Sequence, residues 1–168
     1  MATKVASFAD LRAEFERYVS DIQYCALITV DKYDRPRSRI LMAIWEVRDD
    51  LPVGWVAAYR TPVKSAHIAR NPHVTCSYWS PRQNAVFVDG VAGWVEDASL
   101  KREVWELYRR GSPPGVGYDP IRYWRGGSTD PEYGLLRIDA FRVQVLRGTD
   151  LESRIWQSEE ASRPSRGD

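Results

Sequence analysis

The chain has 168 residues, of which 43% are hydrophobic and 12% aromatic, and its 24 basic and 23 acidic residues leave a formal net charge of +1. A length of this order fits one domain with a single core, and the composition excludes a disordered chain dominated by charge. The balanced charge also argues against a nucleic-acid partner, because no broad basic surface is available for phosphate backbones.

Membrane insertion, secretion and metal binding have no support in the sequence. No apolar run approaches the roughly 18 to 20 residues that span a bilayer, and acidic residues follow the N-terminus closely, so we expect a cytoplasmic protein without a membrane segment. Cys25 and Cys76 stand apart in apolar runs and are expected to be small buried residues. Because His67 and His73 are the only histidines, we predict no metal site.

The first predicted elements are a helix and a β-hairpin. Apolar residues recur at three- and four-residue intervals over 7–20, which predicts an amphipathic helix with Ser7 as its N-cap. Two apolar, β-branched runs follow at 25–30 and 39–45, and the polar segment between them predicts a hairpin with Asp34 near its tip.

The rest of the chain continues this alternation. A strand over 53–59 leads into a helix that Thr61 caps and Asn71-Pro72 ends. In the strand over 86–95, Gly90 and Gly93 are candidates for a bulge or a close backbone approach. The other predicted elements are strands over 74–79, 135–138 and 141–146, a helix over 100–110 and an aromatic segment over 121–124.

About six strands, mostly joined in hairpins, and three helices predict an α+β fold built on a six-stranded antiparallel barrel. The pattern argues against a parallel, doubly wound sheet. We expect a single domain over 1–157 and a disordered tail over 158–168, where hydrophobic periodicity is missing.

Three segments carry residues suited to ligand binding. Arg35, Arg37 and Arg39 alternate on a strand edge and share one face, which favours an anion such as phosphate, whereas a charged hairpin end in solvent is the alternative. Lys64 falls in the first turn of a helix, where free N–H groups also favour a phosphate. Trp124 lies in an aromatic, glycine-rich stretch and could face a planar ligand or cap the core.

Taken together, these segments resemble the flavin-binding split-barrel superfamily of the pyridoxamine 5'-phosphate oxidases and the general stress proteins related to them. The resemblance runs in order over roughly 11–148. Its motifs are Ala26-Leu27-Ile28-Thr29-Val30, the Arg-Pro-Arg-Ser-Arg strand, a lysine-bearing helix ending in Ile68-Ala69-Arg70-Asn71-Pro72-His73-Val74, Gly90-Val91-Ala92, and Trp124, Gly126, Gly127, Asp130-Pro131 and Leu135-Leu136-Arg137.

The resemblance implies a homodimer in which each FMN site is built from two subunits. It implies that Arg39 and Lys64 bind the FMN phosphate, while backbone groups of 40–42 and around Ala57 and Ala58 line the isoalloxazine ring. The complete set of expected cofactor-binding residues is Arg37, Arg39, Ile40, Leu41, Met42, Ala57, Ala58, Thr61, Lys64, Gln83, Asn84 and Trp124.

Some positions depart from the family pattern. Ala58 and Pro62 stand where relatives usually have threonine and serine, and Ile44 replaces a basic residue. An expected glutamine aligns with Ala85, although Gln83 and Asn84 are adjacent. True pyridoxamine-phosphate oxidases grip the substrate phosphate with an Arg-x-His-Asp-Arg segment, whereas this chain reads Asp-Leu-Glu-Ser-Arg over 150–154. A carboxylate there would repel the phosphate, so vitamin B6 oxidase activity is not expected.

The leading interpretation is an FMN-dependent oxidoreductase acting on an unidentified small substrate, with no residue assigned as catalytic acid or base. An alternative on the same fold binds the deazaflavin F420, whose longer acidic tail would suit Arg35 and Arg37. Another is a non-catalytic flavin or haem carrier, for which His67 or His73 would have to be the axial ligand. A cofactor-free structural dimer is the last alternative.

Overall fold

A computed structural model describes residues 1–159 of the chain. Its strands, numbered β1 to β9, and its helices, α1 to α3, confirm the α+β fold class. In chain order they are β1 Ala2–Lys4, α1 Ala9–Ile22, β2 Cys25–Val30, β3 Pro36–Leu41, β4 Ala43–Arg48, β5 Leu51–Tyr59, α2 Pro62–Arg70, β6 His73–Trp79, β7 Ala85–Trp94, α3 Ala98–Arg110, β8 Tyr133–Leu146 and β9 Ser153–Gln157, with short 3-10 helices at Pro120–Arg122 and Gly127–Thr129.

The described strands form one sheet of nine rather than a barrel of six. The main path runs β1-β9-β8-β7-β6-β2-β3. Off this path, β5 pairs with β8 and β4 pairs with β5, so the hydrogen-bonded path does not close on itself. Every ladder is antiparallel except the one between β1 and β9. The short strands β1, at the edge, and β9, beside it, were not predicted, and the strands predicted at 135–138 and 141–146 are one strand, β8.

The predicted strand over 39–45 is also corrected, because the chain changes partners at Met42. Leu41 ends β3 opposite Cys25 of β2, and Ala43 begins β4 opposite Val56 of β5. One strand could not pair in both registers, so the strand is interrupted at Met42, between the two ladders.

The core lies between the inner face of the sheet and the helices packed on it. Alternate residues of β2 point into it, and Cys25 and Cys76 are both fully buried, as predicted. The predicted N-cap of α1 is wrong in detail: the helix begins at Ala9, and the Asp10 carboxylate accepts hydrogen bonds from the Ser7 N–H and hydroxyl, both at 2.9 Å.

The hairpin and α2 follow their predictions. Asp34 occupies the turn with a positive φ of 59°. Thr61 caps α2 by accepting from the Lys64 N–H at 3.3 Å, and Asn71 ends the helix.

Of the two candidate glycines in β7, only Gly90 lies at a bulge. The register shifts between Asp89 and Gly90, and a Cβ at Gly90 would lie 2.6 Å from Ile138 Cγ2. A Cβ at Gly93 would meet nothing within 4 Å. Most of the tail predicted at 158–168 falls on residues 160–168, outside the described residues. Over the part of the chain that is described, no helix has the length and apolarity to cross a membrane.

Candidate functional site

Arg39 and Lys64, predicted from separate segments, meet where β3 faces the start of α2. Burial first, and then the neighbouring charge of Arg39, lower the pKa of Lys64 below its ordinary value of 10.5. Lys64 is only 9% exposed, and burial likewise lowers the pKa of Arg39. Within residues 1–159 neither cation forms a salt bridge, so the fold holds two partly desolvated positive charges together without a counter-ion.

Hydrogen bonds fix both cations but use little of their donor capacity. Lys64 Nζ donates to the Tyr59 carbonyl oxygen at 2.9 Å, which leaves two of its three N–H groups free of partners in the described chain. Arg39 Nη1 donates to Thr29 Oγ1 at 3.1 Å, and Thr29 is fully buried in β2. The arrangement is therefore a donor-rich, acceptor-poor site suited to an anion.

The other two arginines of the row already have an anion inside the protein. Arg35 and Arg37 donate from Nε to the Asp31 carboxylate at 3.0 and 3.1 Å. Burial raises the pKa of Asp31, but hydrogen bonds from the Tyr33 and Arg35 N–H groups and from the two guanidiniums outweigh it and hold the pKa well below its ordinary value. Arg37, an expected cofactor ligand, is thus engaged at the hairpin, and Arg39 alone of the row has no carboxylate partner.

The backbone segments expected to line a flavin ring adjoin the break at Met42. Residues 40–42 lead into the break, and Ala57–Ala58 belong to β5. Ile40 is 67% exposed and Leu41 half-buried, whereas Met42, Ala57 and Ala58 are buried. This leaves the exposed approach to these segments on the Ile40 side.

The hydroxyl of Tyr108 in α3 forms hydrogen bonds with the backbone on both sides of this break, a role that no sequence pattern predicted. The Ala57 N–H donates to Tyr108 Oη at 2.9 Å, and the Tyr108 hydroxyl lies 3.0 Å from the Met42 carbonyl oxygen and 2.9 Å from that of Trp55. It replaces the ladder partner that β5 lacks beyond Val56, because β4 begins only at Ala43. The sequence marks Tyr108 only as an apolar position of an amphipathic helix, which says nothing about its hydroxyl.

Gln83 and Asn84 occupy the turn between β6 and β7. Gln83 is exposed with a positive φ of 64°, and Asn84 Oδ1 accepts the Gly148 N–H at 2.9 Å, so Asn84 supports the turn itself. Asn84 also lines a cavity of about 330 Å³ against α1 that includes neither Arg39 nor Lys64.

Trp124 is packed inside rather than presented to a ligand. It is 3% exposed, its Nε1–H donates to the Glu132 carbonyl oxygen at 3.0 Å, and its ring centroid lies 5.3 Å from that of Tyr59 and 5.2 Å from that of Tyr133. These contacts favour the core-capping alternative. The exposed rings of this region belong to Tyr59 and Tyr123.

The histidines have different surroundings. His67 Nδ1 lies 3.0 Å from Thr29 Oγ1, beside the cation pair, while His73 Nδ1 lies 3.1 Å from Asn71 Oδ1 on the surface. Across the described residues, no group of three or more His, Cys, Asp or Glu side chains is placed to hold a metal ion.

Comparison with solved structures identifies the fold. A protein related to general stress protein 26, of the pyridoxinephosphate oxidase family, from Clostridium acetobutylicum superposes with a TM-score of 0.71 at 15% identity over 90% of this chain and 96% of that one. General stress protein 26 from Bacillus anthracis gives 0.58 at 23% identity over 83% and 97%. A pyridoxamine 5'-phosphate oxidase-related, FMN-binding protein from Nostoc punctiforme gives 0.61 at 17% identity over 85% of each chain.

No family model matches the sequence. No curated protein matches it either. At these identities the superpositions speak for the fold, and they agree with the resemblance found in the sequence. The chain shares its fold with these general stress protein 26 and pyridoxamine 5'-phosphate oxidase-related proteins.

Proposed function

We propose that the protein binds FMN, with the phosphate on Arg39 and Lys64, and acts as an FMN-dependent oxidoreductase on a small substrate. The observation that carries the proposal is the pair of partly buried cations without a counter-ion in the described chain. A phosphate between them would offset their mutual repulsion and accept hydrogen bonds from their unused N–H groups. Each charged hydrogen bond of this kind is worth about 1.5–3 kcal/mol.

The ring of the flavin would lie over the backbone of 40–42 and of Ala57–Ala58. Tyr108 supports this proposal, because its hydroxyl holds the backbone of Met42 and Ala57 in fixed positions from inside the core. A rigid backbone surface can orient the ring and keep water from its inner side. When bound, FMN supplies two-electron transfer at its N5 atom, which is chemistry that the side chains themselves lack.

FMN is favoured over F420 by the placement of the arginines. The acidic tail of F420 would call on Arg35 and Arg37, but both are bound to Asp31. The Asp31 carboxylate, 5% exposed, already takes their Nε–H groups and neutralises one of their two charges, so they offer less to a second anion. Arg39 and Lys64 together match one terminal phosphate.

We also propose that a second copy of the chain packs against the opposite face of β3, the strand that carries Arg39. Tyr24, Ile40 and Trp79 are 55%, 67% and 58% exposed. The register of β3, β2 and β6, in which Ile40 faces Ala26 and Ala26 faces Ser77, puts Ile40 and Trp79 on the outer face of the sheet, and Tyr24 directly precedes β2. Such clusters of exposed apolar residues mark interaction surfaces.

Size-exclusion chromatography with light scattering tests the dimer. We expect twice the 19.3 kDa chain mass for the wild type and a shift toward the monomer for Trp79→Glu, and a monomeric wild type would contradict the proposal. The Ser77→Ala variant, altered on the same face without removing apolar surface, serves as the control and should keep the dimer mass.

The cofactor is tested by the absorption spectrum of protein purified without added ligand, followed by mass spectrometry of what it releases. A flavin spectrum and the mass of FMN are expected. A single deazaflavin band would favour F420, a Soret band would favour haem, and a colourless protein that also refuses added FMN would contradict the proposal.

A further inference from the structure

A buried hydroxyl and an imidazole support Arg39 from behind. Thr29 Oγ1 accepts from Arg39 Nη1 at 3.1 Å and lies 3.0 Å from His67 Nδ1. His67 belongs to α2, the helix that also carries Lys64. The hydrogen bonds from His67 to Thr29 and from Thr29 to Arg39 therefore connect α2 with β3, the two elements that supply the cations.

The position of Thr29 calls for a polar function. Cys25 and Leu27 precede it on the inner face of β2, and all three side chains are essentially unexposed. A hydroxyl buried in such a row costs free energy unless it is hydrogen-bonded, and valine would fill the same volume without that cost. The two hydrogen bonds of Thr29, to Arg39 and to His67, satisfy this requirement.

Donor and acceptor roles follow from the chemistry of the three groups. A guanidinium has no acceptor, so Thr29 Oγ1 must accept from Arg39, and its single proton is free for His67 Nδ1. Thr29 Oγ1 can donate that proton to His67 Nδ1 or accept from Nδ1 with its second lone pair, and either arrangement leaves the hydrogen bond from Arg39 in place.

From this geometry we infer that Thr29 and His67 are positioning residues, which hold the Arg39 guanidinium beside Lys64 and thereby give the site its selectivity for a phosphorylated flavin. The inference rests on the proposed FMN function. A long arginine side chain loses rotamer freedom when it binds, and fixing it in advance lowers that cost. Neither residue needs to touch the ligand.

The experiment compares FMN with riboflavin, which lacks the phosphate. Dissociation constants of both are measured by flavin fluorescence for the wild type, Thr29→Val, Thr29→Ser, His67→Leu and Arg39→Ala. We expect Thr29→Val and His67→Leu to weaken FMN binding roughly tenfold and to change riboflavin binding less than about twofold. Thr29→Ser, which keeps the hydroxyl, should retain the wild-type ratio of the two constants, as should the matched control His73→Leu.

The outcomes separate the inference from the proposed function. If Arg39→Ala weakens FMN binding but Thr29→Val and His67→Leu do not, the positioning role is wrong and the phosphate site stands. Equal losses for FMN and riboflavin would mean a merely structural role and would also overturn it. If the wild type does not prefer FMN, the proposed function fails and the inference with it.

A second measurement does not depend on the flavin. In ¹⁵N-edited NMR of the ligand-free protein, we expect the His67 Nδ1 resonance to shift in Thr29→Val and to stay unchanged in Thr29→Ser. An Nδ1 resonance unaffected by Thr29→Val would mean that His67 is not hydrogen-bonded to Thr29 and would overturn the inference.

Discussion

Replacing Tyr108 with phenylalanine tests how the sheet is sealed at the break between β3 and β4. The Ala57 N–H would lose its only acceptor at this point, and an unsatisfied buried donor costs about 1–3 kcal/mol. Loss of the hydrogen bond that the hydroxyl donates adds about 0.5–1.5 kcal/mol. We therefore expect the free energy of unfolding to fall by roughly 2–4 kcal/mol.

Urea unfolding gives this value directly, and Tyr118→Phe is the matched control. The Tyr118 ring centroid lies 5.1 Å from that of Tyr108, but in the described chain its hydroxyl forms no hydrogen bond. The control should change stability by less than about 0.5 kcal/mol. If Tyr108→Phe is as stable as this control, the hydroxyl does not replace the missing ladder partner and the reasoning is refuted.

Three further predictions concern the sheet, the cation pair and the substrate. Gly90→Ala should lower the free energy of unfolding by about 1–3 kcal/mol in urea, because its Cβ would lie 2.6 Å from Ile138, whereas Gly93→Ala should be close to neutral; equal effects would contradict the close approach. Because the pKa of Lys64 lies below 10.5 and only the ammonium binds phosphate, FMN affinity relative to riboflavin should fall as the pH rises toward 10.5, and Lys64→Arg should abolish the fall. Pyridoxamine phosphate should not be turned over in an oxidase assay, because residues 150–154 carry carboxylates where the family resemblance implies the basic segment that grips its phosphate; turnover at ordinary enzyme rates would contradict this.

The sequence was informative where function depends on local pattern. Lys64 could be predicted because a threonine cap and a following proline mark the start of α2, which places the lysine in its first turn. Arg39 could be predicted from its alternation on a strand edge. Their proximity follows from packing of α2 against β2, the strand that pairs with β3, and only the resemblance to a known family anticipated it.

The remaining features depend on contacts between distant parts of the chain. The carboxylate of Asp31 takes Arg35 and Arg37 because the hairpin folds back on itself, and no local pattern distinguishes it from a solvated aspartate. The break at Met42 arises from two ladders that compete for one apolar run. The short strand β9 was missed because Ser153–Gln157 contains little apolar alternation and pairs with the second half of β8.

The central claim is that Arg39 and Lys64 form the phosphate site of a flavin. Its most direct test is the ratio of the FMN and riboflavin dissociation constants in the wild type and in the double variant Arg39→Ala/Lys64→Ala. We expect the wild type to prefer FMN by at least roughly tenfold and the double variant to bind the two flavins about equally. Equal binding of both flavins by the wild type, or a preference that survives in the double variant, would contradict the claim.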